Sequence, residues 1–171
     1  MKNKTKSLTI ASMCLAIAVI LPQAFHAIPN AGNIFLPMHI PVLICGFICG
    51  PFYGFMVGLL SPLLSHLIFQ MPIALMLSQM LIELSVYGLC TGLFNKIVNV
   101  KNEVVKNYIV LILSMLIGRL TYGLTNSLLF KVGDYSLQLW IGSAFITSLP
   151  GIIIQLLLIP IIIKAVKNYI M

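Results

Sequence analysis

The sequence predicts an all-α membrane protein of six transmembrane helices with both termini in the cytoplasm. Three observations carry this. Of the 171 residues, 60% are hydrophobic and only 8% charged. Mean hydropathy is +1.10, and apolar runs recur at about the 20 residues that a helix needs to cross hydrocarbon. Lipid offers the backbone no hydrogen bonds, so spans must be helices or a closed barrel, and the runs lack the alternation of barrel strands.

The first helix is expected at about residues 7–27. Its basic start and apolar centre resemble a secretory signal, but no small-x-small cleavage site follows, and it is read as a retained span. The stretch HIPVLICGFICGPFYGFMVGLLSPLLSH, from His39 to His66, contains no Lys, Arg, Asp or Glu and places glycines at 46, 50, 54 and 58. One continuous helix of that length would overshoot a bilayer, and Pro51 after Gly50 is a breaker. The stretch is therefore read as a hairpin, 36–50 and 52–69, whose short arms either cross a thinned region or form a re-entrant loop. Each arm carries a GxxxG pattern, and the arms are expected to pack backbone against backbone. Three more spans follow at about 71–94, 107–130 and 137–163. With no low-complexity linker, 1–171 reads as a single membrane domain.

Lysines set the orientation. Lys2, Lys4 and Lys6 precede the first span, Lys96, Lys101 and Lys106 separate the fourth from the fifth, and Lys164 and Lys167 follow the last. Six crossings place all of these inside. The net charge of +7 is thus mostly a topology signal and does not call for nucleic acid.

Polar groups at membrane depth are costly unless buried or paired. Glu83 falls near the middle of the fourth span and Arg119 near the middle of the fifth. Gln79, Glu83 and Tyr87 share one helix face, while Arg119, Tyr122 and Asn126 line another. Two readings stand: a structural ion pair joining two helices, or a ligand site on the same stripes. The stripes continue toward His26, Asn30, Asn33, His39, His66, Gln70, Gln138 and Trp140 at the external ends, a funnel suited to capturing a small polar molecule. The cysteines at 14, 45, 49 and 90 read as small buried hydrophobes, and the three histidines fit no metal-ligand spacing. No metal or other cofactor is expected. Walker A, HExxH and GxSxG signatures are missing, so neither an ATPase nor another enzyme is expected.

The segments FLPMHIPVLICGFICGPFYGFMVGLLSPLLSHL and MLIELSVYGLCTGLF resemble the substrate-binding S component of energy-coupling factor (ECF) transporters, the vitamin-uptake ABC importers of prokaryotes. Length and the six-helix plan agree over nearly the whole chain. The resemblance implies a multi-pass protein of the prokaryotic plasma membrane that captures a vitamin or precursor at the outer face, such as pantothenate, a riboflavin-like molecule or the cobalamin precursor α-ribazole. It implies delivery by reorientation, with a transmembrane T subunit and two ATPases as partners. Family sites carried onto this chain give Asn30, Asn33, His39, Gln79, Glu83, Arg119, Tyr122, Asn126 and Trp140 as substrate-binding. Ser12 and Ala16, a small-x-x-x-small variant of the family's Ala-x-x-x-Ala motif, are the implied docking residues for the T subunit. The alternative is a stand-alone proton-coupled carrier of a small polar metabolite in which Glu83 titrates.

Overall fold

A computed structural model describes residues 4–25, 30–127 and 137–170. Among them there are eight α-helices and no strand: α1 (Lys4–Ala24), α2 (Ala31–Phe35), α3 (His39–Cys49), α4 (Pro51–Phe69), α5 (Ala74–Ile97), α6 (Glu103–Thr125), α7 (Leu137–Ile141) and α8 (Leu149–Ile170), with a π-helical turn at Gly142–Ile146. Six stretches are long and apolar enough to cross a membrane: α1, Gly32–Cys49, α4, Met76–Ile97, α6 and Leu149–Val166.

The hairpin breaks where expected. Gly50 adopts φ +95, a conformation that glycine takes without a Cβ penalty. Pro51 opens α4 at a position where a missing N–H is no loss. It does, however, leave the carbonyl of Phe47 without its usual i+4 donor, and Asn95 Nδ2 of α5 fills that role at 2.8 Å.

The glycines pack differently from the expected arm-on-arm arrangement. A Cβ at Gly46 would sit 2.7 Å from the Gly88 carbonyl oxygen, and one at Gly54 or Gly58 would strike the backbone of Gly88 or Leu84. The main partner of both arms is therefore α5, which brings its own Gly88-x-x-x-Gly92 pattern. Gly54 still approaches Gly46 Cα, so three backbones converge along one seam. Without hydrophobic exclusion in lipid, such close approach is what holds helices together.

Helix ends also shift. The fourth span starts at Ala74 rather than 71, after Gln70 in a left-handed conformation (φ 58), and it runs on to Ile97. The fifth starts at Glu103, where the Asn102 side chain accepts from the amides of Val104 and Val105, an N-cap that hydropathy does not register. Its expected end at 128–130 lies outside the described residues. The expected sixth helix, 137–163, is divided. A backbone bond from Thr147 N to Gly142 O closes the π turn, and Pro150, in the first turn of α8, cannot donate to the preceding segment.

On α1, the buried face carries Ser7, Ala11, Cys14 and Ala18. Small side chains there let α1 lie close to α3 and α4. Ser12 and Ala16 are on the exposed side with Met13 and Ile17. Cys14, Cys45, Cys49 and Cys90 are not joined in disulfides among the described residues.

Candidate functional site

The polar stripes of α5 and α6 meet. Arg119 Nη1 donates to Glu83 Oε1 at 3.1 Å, and His39 Nε2, from the start of α3, lies 3.5 Å from the same oxygen. All three side chains are withdrawn from the surface: His39 is 2%, Glu83 3% and Arg119 4% exposed. Helix spacing produces this arrangement. Glu83 lies one turn from Tyr87 on α5, and antiparallel packing on α6 brings Gly118 against the Tyr87 ring, so that residue 119 projects beside Glu83. A Cβ at Gly118 would fall 2.5 Å from the ring. The Tyr87 ring meets His39 edge-on, with centroids 5.0 Å apart and planes at 79°.

Trp140 covers α6 one turn further out. Its indole Nε1 donates to the Arg119 carbonyl at 3.1 Å, in the space left by Gly123, where a Cβ would fall 2.5 Å from Nε1. Phe145 packs edge-on against the indole at 5.6 Å.

The remaining expected residues are distributed around this centre. Gln79 is buried one turn from Glu83 on α5. Asn126 is buried, with Nδ2 donating to the Tyr122 carbonyl at 2.9 Å. Tyr122 itself is half-buried on α6. Asn30 and Asn33 are exposed and bond to each other at 2.7 Å. Of the wider funnel, His26 lies outside the described residues, and His66 Nδ1 is 2.7 Å from the Pro72 carbonyl.

Two residues were missed in the sequence reading. Tyr87 was placed on the polar face but not in the site, although its hydroxyl is buried without a partner beside His39. Gln155 of α8 is fully buried and neither side-chain amide atom has a partner. The signal for Gln155 was visible: it is the lone polar side chain in LPGIIIQLLLIPIII, and an amide inside an apolar span marks either a packed pair or a contact.

Unpartnered atoms concentrate at the centre. His39 Nδ1 and Nε2, the Tyr87 hydroxyl, and Arg119 Nε and Nη2 are all buried without a hydrogen-bond partner. Most buried polar groups in proteins are paired, so these atoms have hydrogen-bonding capacity left for water or another polar molecule; Ser61 Oγ and Ser65 Oγ of α4 are likewise buried without a partner. Elsewhere, a cavity of about 570 Å³ lies between α1, α3 and α8, lined by Met13, Ile17, Ile40, Ile44, Ile154, Leu158 and further apolar groups. None of the expected site residues lines it, and its walls offer a polar molecule no directed partner.

The family model for the substrate-specific component of ECF transporters matches residues 6–163. The chain belongs to this family. This S component is a multi-pass membrane protein, from a family of transporter components rather than enzymes. Membership implies a small-molecule substrate, and ECF T and ATPase subunits as partners. Among curated proteins and among solved structures, none matches the chain.

Proposed function

We propose that this S component captures a vitamin or vitamin precursor at the outer face of a prokaryotic plasma membrane and binds it among His39, Glu83, Tyr87 and Arg119. Gln79, Tyr122, Asn126 and Trp140 border that centre, and Asn30 and Asn33 belong to the external segment that closes over it. The chain acts as a single membrane domain without catalysis of its own. ATP hydrolysis by two partner ATPases drives its reorientation through the T subunit, which docks on the Ser12–Ala16 face of α1. Only a difference in stability between liganded and empty forms can bias such a movement.

What carries this reading is the set of buried, unpartnered polar atoms gathered around a single ion pair. A pair serving only to bolt α5 to α6 needs no such surplus. The cluster is enclosed, so entry requires the external segments to move. The alternative is a stand-alone proton-coupled carrier built on the same polar centre, where Glu83 and Arg119 lie 3.1 Å apart.

The test is native mass spectrometry of protein purified in mild detergent from cells grown in rich medium. A retained small molecule of vitamin mass, lost on Tyr87→Phe combined with His39→Ala, is the expected result. Uptake by the purified chain alone in liposomes under a pH gradient would replace this reading with the carrier.

A further inference from the structure

We infer that the substrate carries a carboxylate, received side-on by the Nε and Nη2 donors of Arg119. The inference rests on the capture reading above and names the chemical class that the site selects. A guanidinium presents five N–H donors in one plane. Nη1 is engaged by Glu83 at 3.1 Å. Nε and Nη2 share a different edge, on which their hydrogens project in parallel, and both nitrogens are buried without a partner. Two parallel donors match the two oxygens of a carboxylate, whereas a hydroxyl or amide oxygen satisfies that edge with a single atom.

The edge is held in place. Glu83 fixes the guanidinium at Nη1, the Tyr87 ring fills the space over Gly118, and Trp140 is bonded to the carbonyl of Arg119 itself. Arg119 therefore meets a ligand with its orientation set beforehand, which spares the ligand the cost of ordering it. Glu83 and the incoming carboxylate would lie on different edges of the guanidinium, separated by its width. His39 Nε2 lies 3.5 Å from Glu83, within the same polar cluster. The unpartnered hydroxyl of Tyr87 and ring nitrogens of His39 add hydrogen-bonding partners for the polar atoms next to the acid group.

The experiment compares acids with their neutral counterparts on the full chain in detergent: pantothenate with panthenol, nicotinate with nicotinamide, biotin with biotinamide, and riboflavin as an uncharged vitamin. Titration calorimetry on wild type and Arg119→Lys reads the affinities, and native mass spectrometry reads any molecule retained from the cell. The expected result is that an acid binds, its neutral counterpart binds at least roughly thirtyfold more weakly, and Arg119→Lys weakens the acid by a similar factor. Lysine keeps the charge but loses the paired donors. If the variant does not fold, the acid-to-neutral ratio of the wild type and the retained molecule decide. A retained or bound neutral vitamin, or an acid indifferent to Arg119→Lys, overturns the carboxylate while leaving capture intact. Nothing bound and nothing retained overturns capture, and this inference with it.

Discussion

Asn95 of α5 donates its side-chain amide to the carbonyl of Phe47 at 2.8 Å, the acceptor that Pro51 cannot serve because it has no N–H. A tight turn between two spans leaves a carbonyl without its helical donor, and where water cannot reach it that carbonyl needs another one. This S component meets that requirement with one side chain from the helix on which both arms of the hairpin pack. The same contact ties the turn at Gly50 to α5.

Replacing Asn95 with Leu should therefore destabilise the protein by about 1–3 kcal/mol, the cost of leaving a buried carbonyl unpaired. Thermal unfolding in detergent would read this as a lower midpoint. Asn95→Asp should also lose stability, since an ionised carboxylate cannot donate to a carbonyl. A midpoint unchanged in both variants would mean that the Phe47 carbonyl finds another donor.

The glycine seam makes a sharper distinction between positions. A Cβ at Gly88 would collide with the Gly54 carbonyl, whereas one at Gly32 meets nothing within 4 Å. Gly88→Ala should force α4 away from α5, with a loss of about 1–3 kcal/mol or more from overpacking against backbone that cannot rotate aside. Gly32→Ala should leave the unfolding midpoint within error of wild type. Equal behaviour of the two variants would contradict the packing described.

Much of this architecture was legible in the sequence, and the part that was not has a physical cause. Apolar length gave five of the six spans to within a few residues, because the bilayer imposes one scale on every crossing. Gly50 and Pro51 marked the break because their backbone restrictions are local. Glu83 and Arg119 stood out because a charge at that depth needs a partner. Hydropathy could not locate the start of α8, since the π turn and Pro150 interrupt a run that stays apolar throughout. It also could not show that Gly88 and Gly92 of α5 join the opposite arm in facing Gly46 and Gly54. Helix partners depend on three-dimensional packing, and a GxxxG pattern names no partner. Tyr87 and Gln155 were passed over because their importance lies in unpaired polar atoms, a property of the folded environment.

Structural and binding roles of the ion pair can be separated by a double-mutant cycle. Glu83→Gln leaves Arg119 buried without its anion, and a loss of about 3–5 kcal/mol is expected, as is usual when one member of a buried pair is removed. The double variant with Arg119→Gln should recover part of that stability, because two neutral amides can bond to each other. Ligand affinity should not recover. Restored affinity in the double variant would confine the pair to a structural role and remove both residues from the site.

Trp140 offers the last separation, between covering the site and holding its arginine. The indole combines a ring seated over Gly123 with an N–H bonded to the Arg119 carbonyl. Trp140→Phe keeps a ring but loses the bond, and should reduce stability by about 1 kcal/mol with a small effect on substrate affinity. Gly123→Ala acts in the opposite way, retaining the indole but pushing it off its seat, since the added methyl would lie 2.5 Å from Nε1. That displacement opens the outer side of the centre to water, which weakens every polar contact made there. Faster substrate dissociation in Gly123→Ala than in Trp140→Phe, measured by ligand chase, is the expected order. The reverse order would mean that the hydrogen bond to Arg119, and not the position of the ring, governs retention.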